Sequence, residues 1–287
     1  HGDWLAEHLP RPAVVACDTR MHSLRWYRDT AAALAASGLT LVAAANNLVD
    51  ACWLDRPAPQ VSPALLLAEH YTGESSIAKR KRIGAKLVAR GAAAALVFAP
   101  DSISWLLNIR GTDIPKLPVV QGLALLEADG SVTLLVDPGR VPAGLAAHVG
   151  EGVTVMPETE AAAVLASYEG RVVLADPDTA NAWSQLALVQ GGATLLAGSD
   201  PVLLPKACKN NVEIAGSRNA HIRDAVAEIR FLCWLDSEVA AGRLHTENEL
   251  ADQLLSFRQR GDHFQEVSFD SISAAGANAA MCHYNHL

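Results

Sequence analysis

The sequence lacks paired cysteines. Its five cysteines are odd in number and form no short repeated spacing, which argues against a disulfide framework and against a zinc knuckle. A reducing, cytoplasmic setting is therefore expected. The five lie far apart along the chain, at Cys17, Cys52, Cys208, Cys233 and Cys282.

Features of membrane, secreted and nucleic-acid-binding proteins are also missing. No apolar run reaches transmembrane length, and no basic-then-apolar signal pattern opens the chain. The formal net charge of −8 argues against binding to nucleic acid or to an anionic membrane surface. One basic run, Lys79 to Arg82, lies on a predicted helix and is interpreted as a solvated helix face. The chain begins with His1 rather than Met, so we expect residues to be missing or replaced at the front.

Motifs of the common enzyme classes are absent from the sequence. There is no phosphate-binding glycine loop, no nucleophile elbow and no paired histidine motif on a helix. His283 and His286 are separated by two residues, but catalytic metal sites normally use three or more protein ligands. Asp137, Asp176 and Asp200 each follow a predicted strand and are interpreted as turn residues.

What the sequence does contain is a regular alternation of strands and helices. It extends from Val14 to Leu196 and predicts an α/β layer structure with a mixed, largely covered sheet. The length of 287 residues indicates about two domains. A proline-rich connector, from Asp55 to Pro63, marks a first boundary, and a second connector extends from Asp200 to Lys209.

Two parts of this alternation resemble each other. The letters VVACDT at 14–19 are similar to VVLADP at 172–177, and an alanine-rich helix follows each. Gly38 or Gly192 then precedes a strand that contains Thr and Leu. We interpret the two blocks as duplicated and predict a repeated fold. Chance similarity between two ordinary strand–helix–strand units is the alternative.

The last third of the sequence predicts two helices and a hairpin. A long helix starts near Asn211, and a second extends from Thr246 to about Arg258, where Thr246 and Glu249 form a capping box. Residues 268–284 are predicted to form two strands around a turn at Gly276. His283 lies near the end of the second strand. By residue type alone it is a half-buried histidine that bonds to the backbone.

Three segments, in this order, resemble a known family. They are DSISWLLNIRGTDIP at 101–115, LLPKACKNNVEIAGSRNAHIRDAVA at 203–227 and FDSISAAGANAAMCHY at 269–284. The family is that of the three-domain Xaa-Pro aminopeptidases (aminopeptidase P), of the creatinase/pita-bread metallopeptidase class. The resemblance implies an α/β fold with two creatinase N-terminal-type domains, the first one partial, and the beginning of a pita-bread α+β catalytic domain. The implied domain bounds are 1–63, 64–204 and 205–287.

The resemblance also implies chemistry. Members of the family bind two divalent metal ions, usually manganese, through two Asp, one His and two Glu, and a metal-bridging hydroxide attacks the carbonyl before proline. The catalytic histidine of the family, which binds substrate, matches His283. All five metal ligands follow that histidine in the family, so we expect no metal ion on residues 1–287 and no activity from this stretch alone. Lys116 stands where the family often has histidine.

Partners and alternatives follow from the same resemblance. It implies proline-containing peptide substrates, a cytoplasmic location and a homodimer formed through the N-terminal domains. A prolidase or creatinase-type hydrolase is one alternative, against which the three-domain layout and the IRG motif argue. A non-catalytic scaffold or dimerisation module is the other. If the chain ends at Leu287, we expect Phe269, Ile272 and Met281 to be poorly buried.

Overall fold

The computed structural model describes residues 2–286, which form two compact units. The first unit contains the residues up to Ile114 together with Pro118–Cys208. The second contains the short loop Pro115–Leu117 together with the residues from Lys209 onward.

The first unit opens with a small strand–helix–strand block. Its two strands pair in parallel as a separate two-stranded sheet. The Ser23 side chain caps the central helix by accepting the Trp26 N–H, and Gly38 follows that helix with φ of 74°. The block comprises α1 (Gly2–His8), β1 (Ala13–Cys17), α2 (Leu24–Ala36), β2 (Leu39–Ala43) and α3 (Leu48–Cys52).

The rest of the first unit is built on a mixed six-stranded sheet. Its strand order is β10-β9-β4-β6-β7-β8, in which β6 is antiparallel to both β4 and β7 and the other pairs are parallel. Two further strands form a short antiparallel pair. The strands are β3 (Leu65–Leu66), β4 (Ala94–Val97), β5 (Ile109–Arg110), β6 (Leu123–Glu127), β7 (Val132–Leu135), β8 (Val153–Met156), β9 (Val172–Ala175) and β10 (Thr194–Ala197).

Helices and loops cover both faces of this sheet. Ala95 and Val97 of β4 face one buried cluster, whereas Ala94 and Leu96 face another. The predicted mixed, covered sheet is therefore confirmed. The helices are α4 (Glu69–Thr72), α5 (Ser76–Ala89), α6 (Pro100–Leu107), α7 (Leu145–Val149), α8 (Ala161–Ala166), α9 (Ala182–Gln190) and α10 (Leu203–Ala207), with 3-10 turns at Pro138–Arg140 and Glu158–Glu160.

The predicted repeat is confirmed in the fold. The elements β9, α9 and β10 follow one another as β1, α2 and β2 do, and both strand pairs are parallel. Asn181 caps α9 as Ser23 caps α2. Gly192 has φ of 89°, close to the 74° of Gly38, so each helix leads into its second strand through a left-handed glycine.

The interpretation of Lys79 to Arg82 as a solvated face is wrong for its first half. Lys79 and Arg80 are only 1% and 2% exposed, whereas Lys81 and Arg82 are exposed. Lys79 Nζ donates to the Trp105 carbonyl at 3.0 Å and to Asn108 Oδ1 at 2.7 Å. The Arg80 guanidinium donates to three backbone carbonyls, those of Gly130, Val149 and Glu151. A long cationic side chain can be buried when carbonyl oxygens satisfy its N–H groups, and charge counting does not reveal this.

The second unit consists of two helices and an irregular segment. The helices are α11 (Asn211–Ala240) and α12 (Glu247–Gln259). Both begin with a capping box, and the one predicted at Thr246 and Glu249 is confirmed. Of the residues in α11, only Ala227 is buried. Four apolar side chains that recur at helical spacing along α11 are solvent-exposed: Ile222, Val226, Ile229 and Leu232 are between 42% and 63% exposed.

The predicted hairpin at 268–284 is wrong. The described residues of this segment form no strand, and Gly276–Ala280 form a 3-10 turn instead. Ala, Gly and Asn favour strands poorly, and a two-stranded hairpin alone is marginally stable in water. The expected exposure of three side chains is confirmed: Phe269 is 70%, Ile272 60% and Met281 52% exposed.

Candidate functional site

The segment that carries His283 folds around one carboxylate. Glu247 is the first residue of α12, and its Oε1 accepts the Ala275 N–H at 2.6 Å. The Asn278 side-chain amide lies 3.1 Å from each carboxylate oxygen, and the Tyr284 hydroxyl donates to Oε2 at 2.6 Å. Asn278 also donates to the Tyr284 hydroxyl oxygen at 2.9 Å. Four residues thus form one connected polar network.

The network perturbs the two groups at its centre. Donation from the Tyr284 hydroxyl, and then from the Ala275 N–H, lowers the pKa of Glu247 below its ordinary value. The same contact with the Glu247 carboxylate raises the pKa of Tyr284. Glu247 is thereby held as an anion and Tyr284 as a neutral donor.

His283 lies beside this network in an unusual backbone conformation. Its φ of 55° is left-handed, a region that is uncommon for residues other than glycine, although Asn, Asp and His adopt it more often than the rest. Its side chain is exposed, and no hydrogen bond joins its ring to another residue within 2–286. The expectation of a half-buried histidine bonded to the backbone is therefore wrong. The ring is available to a ligand.

A cavity of about 380 Å³ lies next to His283. One side is formed by α12 and the other by the irregular segment. Two carboxylates, Asp252 and Asp270, provide its charge. Such a cavity can accept a short polar chain. Its lining comprises Asn248, Ala251, Asp252, Leu255, Val267, Phe269, Asp270, Ser271, Ile272 and residues 283–286.

Lys116 contacts the same cavity lining. It belongs to the loop 115–117, and its Nζ lies 2.5 Å from Asp270 Oδ2. Its φ of 65° is left-handed, like that of His283. Two strained positions therefore occur at this site, and such strain is often found where function constrains the backbone. The sequence singled out Lys116 only as a departure from a family pattern, and Asp270 was not expected at all.

The described residues do not fit a metal centre. Within residues 2–286, no group of three or more His, Cys, Asp or Glu side chains could hold a metal ion. His283 and His286 alone are too few ligands for a catalytic ion.

The three aspartates after predicted strands are turn residues, as predicted. Asp137 Oδ1 accepts the Gly139 N–H, and Asp176 Oδ1 accepts the Asp178 N–H. Asp200 Oδ1 accepts the Val202 N–H at 2.8 Å. None of these three lines the cavity next to His283.

No helix within residues 2–286 is long and apolar enough to cross a membrane.

Comparison with family models identifies the class of protein. The model of the creatinase/prolidase N-terminal domain matches residues 55–213, and that of metallopeptidase family M24 matches residues 215–286. The chain belongs to the creatinase/prolidase N-terminal domain family and continues into an M24 metallopeptidase match. The predicted fold class is thereby confirmed.

Individual relatives carry more specific names. The chain is 33% identical to Xaa-Pro aminopeptidase app-1 of Caenorhabditis elegans over 294 residues, with 99% of this chain and 47% of the relative covered. It is 32% identical to Xaa-Pro aminopeptidase ApepP of Drosophila melanogaster over 292 residues, with the same coverage. The chain thus spans about half the length of these relatives.

One solved structure is similar across nearly the whole chain. It is the X-prolyl aminopeptidase of Caenorhabditis elegans, described as a cytosolic enzyme with a di-nuclear active site. The TM-score is 0.88 at 32% identity, and the match covers 99% of this chain and 47% of the other. The match therefore includes residues of both compact units.

Proposed function

We propose that this chain is part of an Xaa-Pro aminopeptidase, which releases the N-terminal residue from peptides that have proline in second position. The similarity to the Caenorhabditis elegans enzyme over 99% of the chain carries the proposal. In this protein, residues 1–63 would belong to a first N-terminal-type domain, 64–204 to a second, and 205–287 to the catalytic domain. The parallel units β1-α2-β2 and β9-α9-β10 support two related domains.

Within this function, His283 would bind the substrate peptide. Its exposed imidazole lies beside a cavity with room for a short chain, and its ring nitrogens are not used by other described residues. A protonated or neutral imidazole can donate a hydrogen bond to a peptide carbonyl and stabilise negative charge that develops on its oxygen. The left-handed backbone at His283 supports a position held for that purpose.

Metal ions would be supplied with ligands from outside residues 2–286. The relative from Caenorhabditis elegans is described as having a di-nuclear active site. Two divalent ions, manganese by family resemblance, are proposed for the whole protein. Residues 1–287 alone are accordingly expected to be inactive.

Location and assembly are also proposed from similarity. The description of that relative as cytosolic, together with five free cysteines, supports a cytoplasmic location. A homodimer through the N-terminal domains is proposed from the family resemblance.

The test is the release of alanine from the tripeptide Ala-Pro-Ala. Residues 1–287 are assayed with manganese, and if the gene encodes a longer product, that product is assayed beside them. We expect turnover from the longer product and none from residues 1–287. Turnover by residues 1–287 that a chelator removes would contradict the inference about metal ligands. A longer product that is inactive on every Xaa-Pro peptide would contradict the proposed activity.

A further inference from the structure

The segment 275–284 has one long-range anchor among its described hydrogen bonds. Apart from its contacts with Glu247, the segment makes local bonds only: the Asn278 N–H donates to the Ala275 carbonyl, the Met281 N–H to the Asn278 carbonyl, and the Asn278 amide to the Tyr284 hydroxyl. The residues that donate hydrogen bonds to Glu247 follow it in the sequence by 28 to 37 residues. The position of the whole segment therefore depends on this side chain.

The chemistry of the contact suits an ionised carboxylate. A carboxylate only accepts hydrogen bonds and has about four lone-pair directions, and here a backbone N–H, an amide NH₂ and a hydroxyl all donate to it. Its location on the first turn of α12 adds the favourable field of a helix N-terminus. A glutamine at this position would present an NH₂ group to at least one of the donors.

The network ends at the residue next to His283. Tyr284 is fixed through its hydroxyl, so the peptide unit between residues 283 and 284 is held from one side. The left-handed φ of His283 persists only if its surroundings determine it. Glu247 reaches the residue next to His283 through the Tyr284 hydroxyl.

We propose that Glu247 is the positioning residue for His283: by gathering Ala275, Asn278 and Tyr284 around its carboxylate, it fixes where the imidazole lies at the cavity. This inference rests on the proposed role of His283 in peptide binding. It predicts that loss of Glu247 displaces the histidine and weakens peptide binding through it, while the helices α11 and α12 stay folded.

The test combines two readouts on the chain of 287 residues. The first is the ring resonance of His283 in protein labelled at the histidine ring carbons, assigned with His283→Ala. The second is the dissociation constant of Ala-Pro-Ala. The variants are Glu247→Ala, Glu247→Gln, His283→Ala and the double variant Glu247→Ala with His283→Ala. Asp236→Asn is the matched control, because it neutralises an exposed carboxylate on α11, outside the network.

We expect Glu247→Ala to shift the His283 resonance and to weaken peptide binding by about tenfold or more. Glu247→Gln should restore part of both, since its single amide oxygen can still accept from either Ala275 or Tyr284, which donate to different carboxylate oxygens in the wild type. The double variant should bind no more weakly than His283→Ala, because the two residues act as one unit. Asp236→Asn should behave as wild type. If Glu247→Ala fails to fold, Tyr284→Phe removes one donor and should give a smaller shift of the same resonance.

An unchanged His283 resonance in Glu247→Ala, or in both Glu247→Gln and Tyr284→Phe, overturns the inference. The inference is also overturned if the double variant binds the peptide more weakly than His283→Ala does. The proposed function fails differently: in that case His283→Ala leaves the dissociation constant unchanged, while the resonance still reports on Glu247.

Discussion

Ser23 and Asn181 cap equivalent helices and face each other in an antiparallel bridge. The contacts around them come in matched pairs. The Arg25 N–H donates to the Pro177 carbonyl at 2.9 Å, and the Trp183 N–H donates to the Thr19 carbonyl at 3.0 Å.

Side-chain contacts between the two units also come in a matched pair. Arg25 forms an ion pair with Asp178, and the Arg20 guanidinium lies 4.3 Å from the centre of the Trp183 ring. With residue 23 equivalent to 181, residues 20 and 25 correspond to 178 and 183. The two duplicated units therefore pack through the same surface on both sides, as the subunits of an isologous dimer do.

Where the two duplicated units meet, the helix caps should contribute more to stability than the ion pair between Arg25 and Asp178. Asn181→Ala is expected to lower the free energy of unfolding by about 1 kcal/mol, because the Ser184 N–H loses its acceptor. Arg25→Ala should lower it by less than about 1 kcal/mol, since both partners of its ion pair are more than half exposed. Urea denaturation of the two variants measures the difference. A larger loss from Arg25→Ala would contradict the prediction.

A buried ion pair in the first unit should matter far more. Arg140 Nε lies 2.6 Å from Asp113 Oδ2, and the two side chains are 6% and 4% exposed. Arg140→Met is expected to lower the free energy of unfolding by about 3 kcal/mol or more, because it leaves a buried carboxylate without its cation. Arg56→Met, which breaks an exposed pair with Asp50, is the control and should cost under about 1 kcal/mol. Equal losses from the two variants would refute this prediction.

Acid should destabilise the second unit through Glu238. Hydrogen bonds from Arg243, and then from His245, lower the pKa of Glu238 from 4.5 to about 2. A carboxyl whose pKa is lower in the folded state contributes stability above its unfolded pKa and loses it as the pH falls. The contribution of Glu238 should therefore disappear between about pH 4.5 and pH 2. Unfolding curves measured across this range should fall less steeply for Glu238→Gln than for wild type, and Asp236→Asn serves as control. Parallel curves for Glu238→Gln and wild type would argue against the pairing.

Two glycines should respond in opposite ways to alanine. A Cβ on Gly111 would lie 2.0 Å from the Val119 carbonyl oxygen, so Gly111→Ala must move backbone and should destabilise the protein strongly. A Cβ on Gly216, within α11, would meet open space, with no neighbouring atom within 4 Å. Gly216→Ala should raise the free energy of unfolding by up to about 1 kcal/mol, because alanine favours helix. Thermal unfolding of both variants tests the pair; a stable Gly111→Ala protein would show that the loop can shift.

Local patterns predicted much of the fold. The repeat was visible because a strand, an alanine-rich helix, a glycine and a second strand follow one another in the same order around Gly38 and Gly192. The hairpin failed because Gly276 and Asn278 also suit a turn that contacts a side chain elsewhere, and the contact with Glu247 comes from another element. A glutamate on the first helical turn is common for its effect on the helix itself. The sequence singled out Glu249, as the capping-box partner of Thr246, and gave no sign that Glu247 contacts another element.

The candidate site was only partly predictable for the same reason. His283 was found through a family motif, whereas Asp270 and Glu247 act through partners distant in sequence. Burial of Lys79 likewise depends on Trp105 and Asn108, which belong to the end of another helix and the residue after it. Helix and strand propensities and charge patterns describe one element at a time, whereas each of these contacts joins two elements.

The order of the six-stranded sheet has a consequence for synthesis on the ribosome. The central strand β4 pairs on one side with β6, which follows soon after, and on the other with β9, which emerges much later. Until β9 is made, one edge of a fully apolar strand has no partner. A nascent chain that pauses before residue 172 would thus expose an aggregation-prone edge, and the duplicated unit β9-α9-β10 is the piece that closes it.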